Sequence, residues 1–302
     1  MEFNENTTLD KILHQLFVPY MERVPDVKKV SNAMVQEGII TSVDEIVNDH
    51  VAFRTMGVKN LGITSFEKIF LHHGYTKKDY YYFEGKKLDA YWYAPPHPKY
   101  PRIFISELRV QDLSKETQNI IKKYTETVTS DPVDSLNLDD ADAVGEFFHL
   151  PLWSLPTSGD YQQLLKESEY AAWVIYNRYY LNHYTISIHK LKSGYNHIEN
   201  FNAFLEKIGI KLNDSGGKIK TSPDGLLKQS STVAQMVDAT FSDGKTLSIS
   251  GSYVEFAERG VLPEFKHLKE DQILPKHRRE GFEAQNADKI FESTYTEQTG
   301  KK

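Results

Sequence analysis

Asp49-His50-Val51-Ala52-Phe53-Arg54-Thr55 and, 133 positions on, Asn182-His183-Tyr184-Thr185-Ile186-Ser187 have the same pattern of residue types. Side chains alternate across a strand, so residues two apart share a face. In the first segment His50, Ala52 and Arg54 face one way, while Val51 and Phe53 face the other. In the second, His183, Thr185, Ser187 and His189 form a polar face opposite Tyr184, Ile186 and Ile188. Each segment therefore reads as a strand with an apolar face for a covering helix and a polar face for something else.

Working outward, the first strand (His50–Thr55) is followed by a helix (Thr64–His73) and three strands (Tyr80–Glu84, Leu88–Ala94, Arg102–Val110), with glycines between them. The order returns after His183: a strand to Lys190, a helix (Ile198–Ile208) and a strand-loop region through Val233. Strands Val237–Phe241, Thr246–Ser250 and Tyr253–Arg259 complete it. A repeat of this kind decides the architecture. The fold class is α+β, with two βαβββ modules sharing a curved mixed sheet. One domain, 1–302, holds N-terminal helices (7–40, with Thr8 as N-cap), the first module (48–110), a helical insert (111–180), the second module (181–260) and a C-terminal extension (261–302). His50 to Glu107 spans 57 positions and His183 to Glu255 spans 72; the Gly- and Ser-rich stretch 213–231 is read as the inserted length.

In the closing strand Tyr253, Glu255 and Ala257 share a face. A polar face inside a curved sheet is costly unless water or a ligand satisfies it. His50, His183 and Glu255, placed at matching points of the repeat, would satisfy a divalent metal as a 2-His-1-carboxylate set with open positions. That geometry suits Fe(II), with a 2-oxo acid in two positions and dioxygen in the third. Against this stands the ordinary role of a strand histidine as a hydrogen-bonded core residue.

Composition narrows the alternatives. The chain has no cysteine, which removes disulfides, thiolate nucleophiles and Cys-ligated metals. A net charge of −6 and a pI near 6.0 exclude broad nucleic-acid binding. The basic cluster Lys276-His277-Arg278-Arg279 is read as a solvated face. No apolar run approaches the ~20 residues of a membrane span. Met1–Asn6 carries no secretion signal, so a cytoplasmic location is expected.

The segments Asp49–Thr55, Ser106-Glu107-Leu108, Ala171-Ala172-Trp173, Asn182–Thr185, Ser230–Ala234 and Tyr253–Phe256 resemble, in order, the 2-oxoadipate dioxygenase/decarboxylase (hydroxyglutarate synthase) family. The resemblance implies a vicinal oxygen chelate core with iron on His50, His183 and Glu255. It also implies that Arg54 binds a substrate carboxylate through its planar fork, the alternative being an internal pair with Glu107. Glu107, taken as the pseudosymmetric mate of Glu255, would support the metal or handle protons, or simply pair with Arg54. Ser230 and Ser231 are candidate pocket residues. His72, His73 and His97 are read as bystanders, and His149 and His189 as structural. The implied reaction converts 2-oxoadipate and dioxygen to 2-hydroxyglutarate and carbon dioxide, a step of lysine catabolism. The rivals are another vicinal oxygen chelate enzyme, such as an extradiol dioxygenase or an isomerase, an enzyme using external 2-oxoglutarate, and a metal-free binder of small ligands.

Overall fold

The computed structural model describes residues 7–301; the signal reading over Met1–Asn6 lies outside them. Helix α1 (Thr8–Arg23) begins one residue earlier than expected. Its N-cap is Thr7, whose hydroxyl accepts from Asp10 N at 3.1 Å while the Asp10 carboxylate accepts from Thr7 N at 3.2 Å. Helix α2 (Pro25–Gln36) starts on a proline, whose missing N–H costs nothing at that position. The first module follows: β1 (Asn48–Met56), α3 (Ile63–His72), β2 (Thr76–Phe83), β3 (Leu88–Ala94) and β4 (Arg102–Leu108). The insert is helical as expected, with α4 (Lys115–Thr125), α5 (Ala141–Phe147), α6 (Ser158–Glu167) and α7 (Glu169–Asn177).

The second module departs from the sequence reading in an informative way. Strand β5 (His183–Ser187) stops three residues short of Lys190, and His189 sits on a 3-10 turn rather than on the strand's polar face. After α8 (Ile198–Lys207), two short strands, β6 (Lys220–Thr221) and β7 (Leu227–Ser231), come from the stretch read as an inserted loop. The segments that look most like strands, β8 (Met236–Thr240) and β9 (Thr246–Ser250), pair only with each other in a separate hairpin. That hairpin is the insertion. Strand β10 (Tyr253–Arg259) closes the module, and α9 (Ala284–Phe291) and α10 (Thr296–Thr299) end the described chain.

One eight-stranded sheet runs β2-β3-β4-β1-β5-β10-β7-β6. β1 and β5 meet antiparallel at its centre, and each pairs parallel with the last strand of its own module, β4 and β10. The two modules are thus related by a local twofold. Flat, such a sheet would be about 34 Å across from first to last strand. Yet α9, only 8 residues long, touches both β2 and β6, so the sheet curls and α9 plugs its open side. Val51 and Phe53 of β1 face outward, where Phe53 packs on Phe66, Phe70 and Phe148. Fully burying such a ring contributes about 1.5–3 kcal/mol. With the outer face committed to that core, the polar residues of β1, β5 and β10 must line the hollow.

Candidate metal centre and substrate cavity

Strand register sets the site in rows. His50 lies opposite Thr185, and Thr185 opposite Glu255; one pleat further, Ala52 lies opposite His183, and His183 opposite Tyr253. Arg54 is one pleat beyond that on the same face of β1. His50, His183 and Glu255 are 2%, 5% and 1% exposed and offer ligand atoms that all lie within 4.8 Å of one another. Glu255 Oε2 is 3.4 Å from His50 Nε2 and 3.0 Å from His183 Nε2. Two ligands held about 2.1 Å from one ion at right angles are themselves about 3 Å apart. The donor set and its spacing therefore fit a divalent cation, and among the described residues this is the cluster that does.

Both imidazoles are oriented by the residue preceding them. Asp49 Oδ1 and Asn182 Oδ1 each lie 2.9 Å from the neighbouring Nδ1. A proton held on Nδ1 leaves Nε2 free for a metal, the usual support of a ligating histidine. The supports differ in charge. Asp49 is clamped by Arg259 through Nε at 2.7 Å and Nη2 at 2.9 Å, with Arg102 Nη1 at 3.4 Å. Burial would raise the Asp49 carboxyl, but those two guanidinium groups hold it well below the usual range. Burial also opposes a charged His50, yet Glu255 and Asp49 outweigh it and raise its pKa; His183, beside neutral Asn182, stays lowered by burial. For Glu255, burial is overcome by the two histidines, which bring its pKa down to about 2. Its second oxygen, Oε1, accepts from Gln229 Nε2 at 2.6 Å, and Gln229 Oε1 accepts from Asn286 Nδ2 at 3.1 Å.

The three candidate ligands open on a small cavity walled by Phe104, Phe282, Ile290 and Phe291 and reached by Arg54, Gln229 and Tyr253. Arg54 is 1% exposed. It donates to Thr294 Oγ1 at 2.9 Å and to the Phe291 carbonyl at 3.0 Å, and has no carboxylate within ion-pair distance among the described residues. The alternative of an Arg54–Glu107 pair is therefore absent.

Glu107 is not brought to the site. It lies opposite Thr55, on the outer face, where its Oε2 accepts from Ile63 N at 2.7 Å and caps α3. Its true mate is Glu258, whose Oε2 accepts from Ile198 N at 2.8 Å and caps α8; the position matching Glu255 is Phe104. Gly62 makes that cap possible, because its φ is +85° and a Cβ there would come within 2.0 Å of the Glu107 carboxylate.

Ser230 also faces outward, donating to Asn202 Oδ1 at 2.7 Å, and Ser231 is taken up by Ser293 Oγ at 2.8 Å. His149 Nε2 points at the Gln15 carbonyl, outside the cavity. Half-buried His189 has its pKa pushed down to about 3 by desolvation and accepts from Arg259 N. His72 lies beside Asp139, and His97 accepts from Lys99 N. The 276–279 cluster is not a solvated face: His277 is buried, and Arg278 and Arg279 donate to the backbone carbonyls of Arg259 and Phe282.

Gln229 and the Phe282–Phe291 wall escaped the sequence reading. Gln229 carries a period-2 signal with Ser231, masked by its Lys- and Ser-rich neighbours.

Two βαβββ units in one curled sheet, with two histidines and a glutamate meeting in its hollow, define a vicinal oxygen chelate fold with a candidate metal centre. A glyoxalase-superfamily protein from Ralstonia eutropha shares this fold with a TM-score of 0.66, 20% identity, and coverage of 92% of this chain and 87% of that one. More specifically, the chain belongs to the 2-oxoadipate dioxygenase/decarboxylase family, whose model matches residues 12–274. It is 45% identical to the chloroplastic 2-oxoadipate dioxygenase/decarboxylase of Arabidopsis thaliana over 96% of this chain and 78% of that protein. The crystal structure of hydroxyglutarate synthase from Oryza sativa in complex with 2-oxoadipate matches with a TM-score of 0.88 and 44% identity, covering 96% of this chain and 93% of that one. The expected cytoplasmic location is corrected by these matches, since the Arabidopsis relative is named as a chloroplast protein.

Proposed function

We propose that this protein is an iron(II)-dependent 2-oxoadipate dioxygenase/decarboxylase: 2-oxoadipate and dioxygen become 2-hydroxyglutarate and carbon dioxide, a step of lysine breakdown. The observation that carries the reading is the pairing, in one cavity, of a 2-His-1-carboxylate set with a buried guanidinium that has no carboxylate within ion-pair distance among the described residues. A metal-bound 2-oxo acid with a second carboxylate supplies the missing partner for each.

His50, His183 and Glu255 would hold the ion on one side and leave the cavity side open. Bound there, iron(II) supplies the coordination sites and electrons that let dioxygen oxidise a 2-oxo acid. The chain does the rest. Asp49 and Asn182 keep both Nε2 atoms presented, and Gln229 engages Glu255 Oε1, leaving Oε2 as the oxygen that would ligate the ion. Arg54 orients the acid through its carboxylate, and the apolar wall excludes water from the reacting end. Carbon, hydrogen and oxygen balance for one dioxygen per acid, with C1 leaving as carbon dioxide and one oxygen atom retained in the new hydroxyl. The test is anaerobic reconstitution with iron(II), followed by oxygen uptake and product analysis with 2-oxoadipate. One dioxygen consumed per 2-hydroxyglutarate is expected; equal turnover under argon would overturn the reading.

A further inference from the structure

Among the cavity-lining side chains, three polar atoms have no hydrogen-bond partner: Arg54 Nε, Asn182 Nδ2 and the Tyr253 hydroxyl. The arginine belongs to the reading above, and the Asn182 side chain is tied to His183. Tyr253 is unaccounted for. It is 0% exposed, and a phenol hydroxyl sealed from water without a partner is destabilising, so its survival in a cavity wall needs a reason. Its place in the sheet supplies one. Tyr253 shares a face with Glu255 but stands one pleat nearer the level of Arg54, in the row of His183. Its ring stacks on the His183 ring, with centroids 4.6 Å apart and 27° between planes, which fixes where the hydroxyl points. Arg54 and Ser293 both come near enough to favour its charged form, yet neither is placed to make a hydrogen bond with the hydroxyl.

We propose that Tyr253 is a substrate-selecting residue, whose hydroxyl donates to the carboxylate at the end of the acid remote from the metal, the same group that Arg54 binds. This rests on the 2-oxo acid reading of the site. His50 and Arg54 are four residues apart on one strand face, about 13 Å between Cα atoms, so a guanidinium there meets the far end of a chelated acid. A carboxylate has about four acceptor positions, more than the free N–H groups of one half-engaged arginine fill. A neutral phenol beside the cation adds a charge-assisted bond without like-charge repulsion. The pair thereby selects a dicarboxylic 2-oxo acid over a monocarboxylic one of equal length.

Tyr253→Phe tests this, because it removes only the hydroxyl and keeps the ring on His183. Anaerobic calorimetry on the metal-loaded protein would compare 2-oxoadipate with 2-oxohexanoate, which has the same carbon chain and no remote carboxylate. Affinity for 2-oxoadipate is expected to fall about 10- to 100-fold, while that for 2-oxohexanoate changes less than about twofold. Bound metal and thermal midpoint should match wild type, since no existing bond is lost. In the Tyr253→Phe background, Arg54→Met should abolish most of the remaining preference between the two acids. Unchanged affinity for 2-oxoadipate in Tyr253→Phe, or equal losses for both acids, would overturn the inference while leaving the 2-oxo acid reading standing. Wild-type protein that binds neither acid would overturn both.

Discussion

Arg54 is buried with no carboxylate within ion-pair distance among the described residues, and replacing it by methionine separates a functional cation from a structural one. A buried arginine in a salt bridge leaves an uncompensated carboxylate when removed, at a cost of about 3–5 kcal/mol. Arg54 has no such partner. Its removal forfeits two hydrogen bonds to Thr294 Oγ1 and the Phe291 carbonyl, and contacts over the rings of Tyr170 and Trp173, each 5.2 Å away. Bonds from a charged donor contribute about 1.5–3 kcal/mol each. Against this, desolvating a lone guanidinium costs several kcal/mol, which methionine avoids while filling the space and keeping a favourable sulfur–aromatic contact. These terms nearly cancel, so the ligand-free variant should unfold in urea within about 2 kcal/mol of wild type. Binding has no such cancellation. Truncating one member of a buried, hydrogen-bonded charge pair costs about 2–5 kcal/mol, so 2-oxoadipate affinity measured by anaerobic calorimetry should fall at least about 30-fold. A loss of more than about 4 kcal/mol in stability with 2-oxoadipate binding intact would make Arg54 a structural cation instead.

Further outcomes follow from the metal centre and the caps. His183→Ala should leave the protein folded with most bound metal lost by elemental analysis; full occupancy would remove His183 from the ligand set. Asp49→Asn breaks the buried clamp with Arg259 and withdraws the charge behind His50, so denaturant melts should show about 3–5 kcal/mol of destabilisation, and metal titration about 10- to 100-fold weaker binding. Gln229→Leu frees Glu255 Oε1 and should weaken metal binding with a smaller effect on global stability; unchanged metal affinity would mean that Gln229 serves only to anchor α9 through Asn286. Glu107→Ala should cost about 0.5–2 kcal/mol from the lost cap of α3 with kcat retained, and a collapse of kcat in folded protein would return Glu107 to the chemistry.

The sequence alone determined the repeat, the faces of its strands and the three ligand candidates. These depend on period-2 alternation over a few neighbouring residues, which is local and survives without knowledge of partners. His50, Arg54, His183 and Glu255 face one hollow because Val51, Phe53, Tyr184, Val254 and Phe256 must face the core. Everything that depended on which strand pairs with which was decided by tertiary structure. β8 and β9 have strand-like composition, yet they pair with each other, while the polar segment Leu227–Ser231 enters the main sheet because β10 offers it an open edge. Register across β1 and β4 was equally out of reach, and a shift of that kind moves a side chain to the other face. That is how Glu107 became a helix cap and Phe104 took the place matching Glu255. The Phe291 carbonyl reaches Arg54 across 237 positions of chain, and Phe282 packs edge-on against His50 at 4.8 Å. No local pattern marks those residues, because what brings them to the cavity is the curl of the sheet and the open side that α9 must fill.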